Sequence, residues 1–196
     1  PPPISACLVG SEMCIRDRVQ LFKDAGWETI ETDRVVADLL ENDPDTHSRI
    51  VSRWGSQVLH AETDLIDRRS VARIVFSNDT ELKWLEDLVH PQVRQIWFSA
   101  LQRDTEANWL VEIPLLYEKR LESHFDLVVC VCSEAALSVK RLNGRGLSSR
   151  DIELRRCRQL PLEKKVHQAD YVLYNSGSFE FLKRQTLRLI QHLHMQ

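Results

Sequence analysis

The sequence predicts an α/β protein in which a parallel β-sheet carries helices on its faces, because strand-like and helix-like segments alternate along its 196 residues. Three short apolar runs carry this prediction: residues 109–113, 126–131 and 171–174. The middle run is apolar almost throughout, which is typical of a strand buried on both faces. Residues 4–9 form a further apolar run near the start of the chain.

Turn and capping signals delimit two more elements. Gly26 is placed to end a first helix at Ala25, since glycine adopts the backbone conformation that follows a helix. A weaker strand candidate, residues 28–30, comes directly afterwards. At the other end of the chain the apolar spacing predicts a last helix over residues 178–194.

A long helical block separates the strand candidate at residues 28–30 from the next one. Asp67 is a suitable N-cap for a helix over residues 68–76. A second helix is expected to begin at Asn78 or Asp79, and Pro91 is expected to open a third that runs to residue 101. Such a block predicts a helical insertion on the α/β core.

Composition excludes several classes of protein. The formal net charge of -3 argues against a nucleic-acid-binding arm or a polybasic membrane anchor. No run approaches the ~20 apolar residues of a membrane span. The 5 cysteines contain no C-x-x-C pair, which favours a reducing, cytoplasmic setting and gives no metal site. The 6 glycines are too dispersed for an intact phosphate-binding loop of the G-x-x-x-x-G-K-[ST] type.

Polar residues that follow strands are the candidates for chemistry, because ligands of parallel sheets bind at the carboxyl ends of the strands. Asp33 follows the strand at residues 28–30 and could orient or deprotonate a hydroxyl, or it could simply cap a helix over residues 34–40. Asn175 follows residues 171–174 and could either form a turn or bond the edge of a base.

Basic residues form a second group of candidates. Arg141, Arg145 and Arg155 lie in a charged stretch that could close over phosphates or form a solvated helix face. His90 precedes Pro91 at the expected junction of two helices, where its imidazole could bond a free helix-end carbonyl.

Taken in order, these pieces resemble the dephospho-coenzyme A kinase family from about residue 19 to the C-terminus. The motifs that carry the resemblance are IETD at 30–33, IDR at 66–68, VFSN at 75–78, LVHP at 88–91, EIPLLYE at 112–118, KR at 140–141, QLPLEK at 159–164 and NSG at 175–177. Glu31 and Glu112 stand where the family commonly has aspartate. The joint order and spacing of the motifs are specific, although each motif alone is weak.

The resemblance implies a P-loop kinase fold with a nucleotide-binding core, a helical coenzyme A-binding region at about residues 60–105 and an arginine-bearing lid at about residues 141–165. It implies transfer of the γ-phosphate of ATP, with Mg²⁺, to the ribose 3′-hydroxyl of the small-molecule substrate dephospho-coenzyme A. The resemblance assigns each candidate residue a role in this reaction. Asp33 would act on the 3′-hydroxyl, Arg141 and Arg145 would neutralise phosphate charge, His90 and Arg155 would bind the acceptor, and Asn175 would lie beside adenine.

The chain departs from the family where the phosphate-binding loop should stand. The family has Gly-Gly-x-Gly-Ser-Gly-Lys-Ser there, whereas residues 9–16 read VGSEMCIR. Residues 7–18 can be back-translated into a transposon-end adapter used to prepare sequencing libraries, and the chain does not begin with methionine. We therefore interpret residues 1–18 as foreign and the family sequence as a fragment that begins near Val19.

Two consequences follow from this interpretation, and two alternatives to it and to the assigned activity stay open. The foreign segment is expected to form a strand and to run into a helix, without an anion-binding loop between them. The chain is expected to lack kinase activity, because the loop lysine and the hydroxyl that binds the metal are missing. The alternatives are a kinase of the same fold that acts on another nucleoside or nucleoside monophosphate, and a non-catalytic module that binds nucleotide or coenzyme A.

Overall fold

The computed structural model describes residues 3–10, 16–134, 137, 139, 152–153 and 157–195. Its centre is a five-stranded sheet in which every neighbouring pair of strands is parallel, in the order β2-β3-β1-β4-β5. The strands are β1 (Ser5–Gly10), β2 (Glu28–Glu31), β3 (Trp109–Glu112), β4 (Leu127–Cys132) and β5 (Tyr171–Tyr174). The parallel α/β class and each strand expected from the sequence are thereby confirmed.

Strand β1 occupies the middle of the sheet, between β3 and β4. Ala6 pairs with Leu110 on one side and with Leu127 on the other. The beginning of the strand is held by Asp126, whose Oδ2 accepts hydrogen bonds from the Ser5 backbone N at 2.8 Å and from Ser5 Oγ at 2.7 Å. The segment interpreted as foreign therefore forms a strand, as expected, and the structure shows that this strand is the central one.

The two faces of the sheet are covered by different elements, because successive side chains of a strand point to opposite faces. On one face Ala6 and Leu8 pack in a cluster with residues of helices α1 (Arg16–Asp24) and α7 (Phe179–Leu193). Cys7 and Val9 point to the opposite face, which the short helix α6 (Leu162–Gln168) contacts at β1 and β4. Ser178 caps α7, since its side chain accepts a bond from Phe181 N.

Residues Thr32–Ala100 form a separate compact unit. Its helices are α2 (Thr32–Asn42), α3 (Pro44–Trp54), a 3₁₀ turn (Gly55–Val58), α4 (Arg68–Ser77) and most of α5 (Asp79–Arg103). Asp67 caps α4, as the sequence predicts, by accepting a bond from Arg69 N at 3.0 Å. The core of this unit includes the buried side chains of Ile50, Val58 and Val71.

The two helices expected on either side of Pro91 are in fact one helix, α5, with Pro91 inside it. The prediction of a helix boundary there is wrong because tertiary packing outweighs the local cost of a proline. Leu88, Val93 and Trp97 are buried along one side of the helix, before and after the proline. The Gln92 side chain also donates a bond to the Leu88 carbonyl at 3.1 Å, within the turn that the proline interrupts.

Helices α3 and α5 are joined by a polar contact. The Glu81 carboxylate accepts hydrogen bonds from Arg53 Nε at 2.7 Å and from Trp54 Nε1 at 2.7 Å, and the Arg53 guanidinium lies over the Trp84 ring. These bonds, that from Arg53 foremost, hold the pKa of Glu81 below its usual range. The ionised carboxylate therefore contributes to the stability of the helical unit.

Three cysteines, Cys7, Cys130 and Cys132, are buried in the sheet and form no disulfide bond. Burial raises the pKa of the Cys130 thiol to about 12, so the group remains protonated and unreactive in the folded protein.

Among the helices that the structure describes, none has the length and apolar character needed to cross a membrane.

Candidate functional site

The carboxyl edge of the sheet brings together the ends of all five strands, since the strands are parallel. Pairing continues to that edge on both sides of the central strand, where Leu8 pairs with Glu112 and Gly10 with Val131. Clefts at this edge are the usual ligand sites of parallel α/β folds. The residues that follow each strand at this edge are therefore the candidates for a ligand site.

Gly10 ends the central strand in a backbone conformation that requires glycine. Its φ is 155°, and a Cβ atom at this position would overlap the backbone oxygen of Val131 in β4. A close approach of this kind is the usual reason for glycine at a strand end. Residues 11–15, where the family loop would continue, lie outside the described residues.

Two carboxylates stand next to each other at this edge. Glu31 is the last residue of β2 and Glu112 is the last residue of β3, and the two are direct partners in the strand register. Paired residues of neighbouring strands share one face of the sheet. Glu112 is buried, with 7 % of its surface exposed. The two positions at which this chain has glutamate in place of aspartate are thus structural neighbours.

Asp33 lies in the first turn of α2, two residues after β2 ends. The helix begins at Thr32, so the expectation that Asp33 caps a helix starting at residue 34 is wrong. A carboxylate in the first turn still interacts favourably with the positive end of the helix dipole. The side chain of Asp33 is exposed, which leaves it accessible to a ligand.

Asn175 follows β5 directly and forms part of a turn with Ser176 and Gly177. Its backbone N donates a bond to the Cys132 carbonyl at 2.8 Å, and Ser176 Oγ accepts a bond from Glu134 N at 3.2 Å. These bonds tie the turn to the end of β4. Asn175 is itself buried, with 8 % of its surface exposed. The turn reading of the sequence is therefore correct, and the adenine contact stays a prediction.

Of the four basic candidates, the structure describes only His90. His90 lies within α5, one residue before Pro91, and is half-buried. No helix ends there, so the expectation that its imidazole bonds a free helix-end carbonyl is wrong. Arg141, Arg145 and Arg155 fall outside the described residues, and their assignment to phosphates stays a prediction.

Sequence reasoning missed the one fully buried lysine among the described residues. Lys165, in α6, is 1 % exposed, and its Nζ bonds the Pro114 carbonyl at 3.0 Å and Glu118 Oε1 at 2.9 Å. The same Glu118 oxygen accepts a bond from Leu160 N at 2.6 Å. Each partner lies in a motif that the resemblance quotes or directly beside one, but nothing in the local pattern signals that Lys165 rather than Lys164 is buried.

Solved structures with the same architecture define the class of protein. A crystal structure of TT1252 from Thermus thermophilus superposes with a TM-score of 0.78 and 31% identity, covering 98% of this chain and 99% of that one. The dephospho-CoA kinase from Campylobacter jejuni gives a TM-score of 0.68 at 24% identity, over 96% of both chains. A shikimate kinase from Acinetobacter baumannii gives 0.54 at 12% identity, covering 98% of this chain and 94% of that one. The fold is that of the P-loop kinases.

The family follows from the sequence comparisons. The profile of the family described as Dephospho-CoA kinase matches residues 17–180. A dephospho-CoA kinase from Carboxydothermus hydrogenoformans is 34% identical over 176 residues, which are 88% of this chain and 85% of the relative. One from Geobacillus kaustophilus is 32% identical over 175 residues, or 87% of each chain. This chain belongs to the dephospho-CoA kinase family.

Residues 9–16 contain no lysine, so their sequence does not fit the phosphate-binding loop that holds Mg²⁺–ATP in P-loop kinases. No group of three or more His, Cys, Asp or Glu side chains in the described part of the chain could hold a metal ion. Residues 9–16 read VGSEMCIR, where the family resemblance places Gly-Gly-x-Gly-Ser-Gly-Lys-Ser.

Proposed function

We propose that residues 19–196 come from an enzyme that transfers the γ-phosphate of ATP to the 3′-hydroxyl of dephospho-coenzyme A, and that the chain as it stands does not perform this transfer. The family profile, which matches residues 17–180 and thus begins after the phosphate-loop position, carries the proposal. The proposed inactivity also depends on the foreign origin of residues 1–18 that the adapter match suggests. Reading the nucleotide sequence across the junction tests that origin directly, since codons incompatible with the adapter would refute it.

Acceptor binding is the part of the function that this chain is expected to retain. Asp33, exposed in the first turn of α2, is assigned to the 3′-hydroxyl, which it orients and whose proton it accepts. His90 and Arg155 are assigned to the acceptor, and Asn175 to the adenine of ATP. Arg141 and Arg145 are assigned to the phosphates, where a permanently charged guanidinium offers forked hydrogen bonds.

Catalysis is the part that it is expected to have lost. Phosphoryl transfer depends on alignment and charge neutralisation, and removal of a single preorganised donor costs about 10²–10³-fold in rate. Here the lysine, several backbone donors and the metal-binding hydroxyl are replaced together. The expected rate of coenzyme A formation by this chain is therefore at the background of the assay.

A paired experiment tests both parts. The chain is assayed for coenzyme A formation from dephospho-coenzyme A and Mg²⁺–ATP, beside a version in which the family's glycine–lysine loop replaces residues 9–16. We expect activity only in the version with the loop, a loss of that activity with Asp33→Asn, and little change with Asp38→Asn, an exposed carboxylate on the same helix. Equal rates of coenzyme A formation above the assay background, with and without the loop, would contradict the proposed inactivity.

The acceptor assignment is tested by calorimetric titration with dephospho-coenzyme A. The chain should bind it, and His90→Ala should weaken binding by about tenfold, the effect of one lost charged or polar contact. His60→Ala, which removes an exposed imidazole in the same compact unit, serves as the matched control. Tighter binding of a nucleoside monophosphate than of dephospho-coenzyme A would favour the alternative kinase.

A further inference from the structure

The contact between Lys165 and Glu118 joins several segments of the chain in addition to forming an ion pair. The group formed by Lys165 Nζ, the Glu118 carboxylate, the Pro114 carbonyl and Leu160 N is called the buried clasp below. Through it, one ammonium and one carboxylate oxygen join α6, the chain that enters α6 and the chain that leaves β3. Lys165 crosses 51 residues of sequence to reach Pro114.

The clasp lies at the carboxyl edge of the sheet. Glu112 pairs with Leu8, and both Pro114 and Gly10 come two residues later in their strands' direction. The Ile113 backbone N still donates a bond to the Leu8 carbonyl at 3.1 Å, so Pro114 follows directly after the paired part of β3 at this edge. The chain that the clasp holds begins immediately after Glu112 and includes the rest of the EIPLLYE motif.

Burying an ammonium group completely costs desolvation free energy. Desolvation offsets most of the attraction in a buried ion pair, and apolar residues of similar volume are often as stabilising. A buried pair instead favours one conformation of the chain, because its hydrogen bonds are directional and form in that conformation only. The Lys165 ammonium has two acceptors, one of them a backbone carbonyl, so it defines the path of Pro114–Glu118 more narrowly than packing would.

We propose that Lys165 is a positioning residue, which acts through Glu118 and the Pro114 carbonyl to hold the segment after β3 in the arrangement that binds dephospho-coenzyme A. The proposal rests on the function proposed above, because it takes dephospho-coenzyme A as the ligand. It assigns a role to a residue outside the quoted motifs. It also gives Glu118 a role distinct from contact with the ligand.

The test removes the charges without leaving one of them buried alone. Lys165→Met with Glu118→Gln deletes both charges, keeps similar side-chain volumes and preserves an acceptor for Leu160 N. Lys165→Met alone leaves the Glu118 carboxylate without its ammonium, and should destabilise the protein more than the double variant does. Lys164→Met, at the exposed neighbouring position of α6, is the matched control.

Two measurements separate positioning from stability. Calorimetry with dephospho-coenzyme A gives the dissociation constant at temperatures where each variant is fully folded. Alkylation of Cys130, resolved by mass spectrometry, reports opening of the layer over the sheet, because this thiol is buried and lies near Lys165. The exposed Cys157 reports the intrinsic alkylation rate in the same sample.

We expect the double variant to regain most of the stability lost by Lys165→Met and still to bind dephospho-coenzyme A about tenfold or more weakly, with faster alkylation of Cys130. Unchanged affinity in the folded double variant would overturn the proposal, whether or not alkylation changes. If the double variant does not fold, the affinity of Glu118→Gln for dephospho-coenzyme A is measured instead, and an unchanged value overturns the proposal. Absence of binding by the unmodified chain would instead refute the proposed function.

Discussion

Truncation of Leu8 tests whether the segment interpreted as foreign is built into the sheet. Leu8 lies in the central strand, is 0% exposed, and packs with the helices on one face. Leu8→Ala removes three carbon atoms, which at about 0.8 kcal/mol each corresponds to roughly 2.4 kcal/mol of transfer free energy. The cavity adds to this, so the expected loss in the free energy of unfolding is about 2–5 kcal/mol.

Urea unfolding followed by far-UV circular dichroism measures this loss, and thermal unfolding should show a midpoint lower by about 4–20 °C. Leu187→Ala is the control, because Leu187 lies in α7 and is 38% exposed. Its truncation is expected to cost about 1 kcal/mol or less. If Leu8→Ala and Leu187→Ala unfold at the same urea concentration, residues 5–10 are not the central strand and the argument fails.

Two further perturbations test the end of the central strand and the helical unit. Gly10→Ala should cost about 1–3 kcal/mol from backbone strain alone, and more from overlap with the Val131 oxygen; an unchanged urea midpoint would contradict the close approach of the two strands. Bonds from Arg53, and then from Trp54, keep the pKa of Glu81 below its ordinary 4.5, so its contribution is present above pH 4.5 and is lost as the pH falls further. Glu81→Gln should therefore lower the melting temperature at neutral pH, and the difference from the unmodified chain should shrink in acid; a difference independent of pH would show that ionisation is not the cause.

The candidate site was predictable from sequence where local rules apply. Asp33 and Asn175 were singled out because they follow strands, and the structure places Asp33 two residues after β2 and Asn175 directly after β5. The buried clasp was not predictable, because it joins Lys165 to groups about 50 residues away. Lys164 and Lys165 are adjacent in sequence and carry the same charge, and they differ only in the face of α6 that they occupy.

The sequence by itself determined the class of the fold, the five strands and the family. Apolar runs, capping residues and the order of short motifs are local features, and local features suffice for these conclusions. Only the tertiary structure decided that α5 continues through Pro91 and that residues 5–10 lie between β3 and β4. It also decided that Lys165 is buried against Glu118. Each of these outcomes depends on contacts between segments distant in sequence, whose packing energy exceeds the local preferences that a sequence pattern displays.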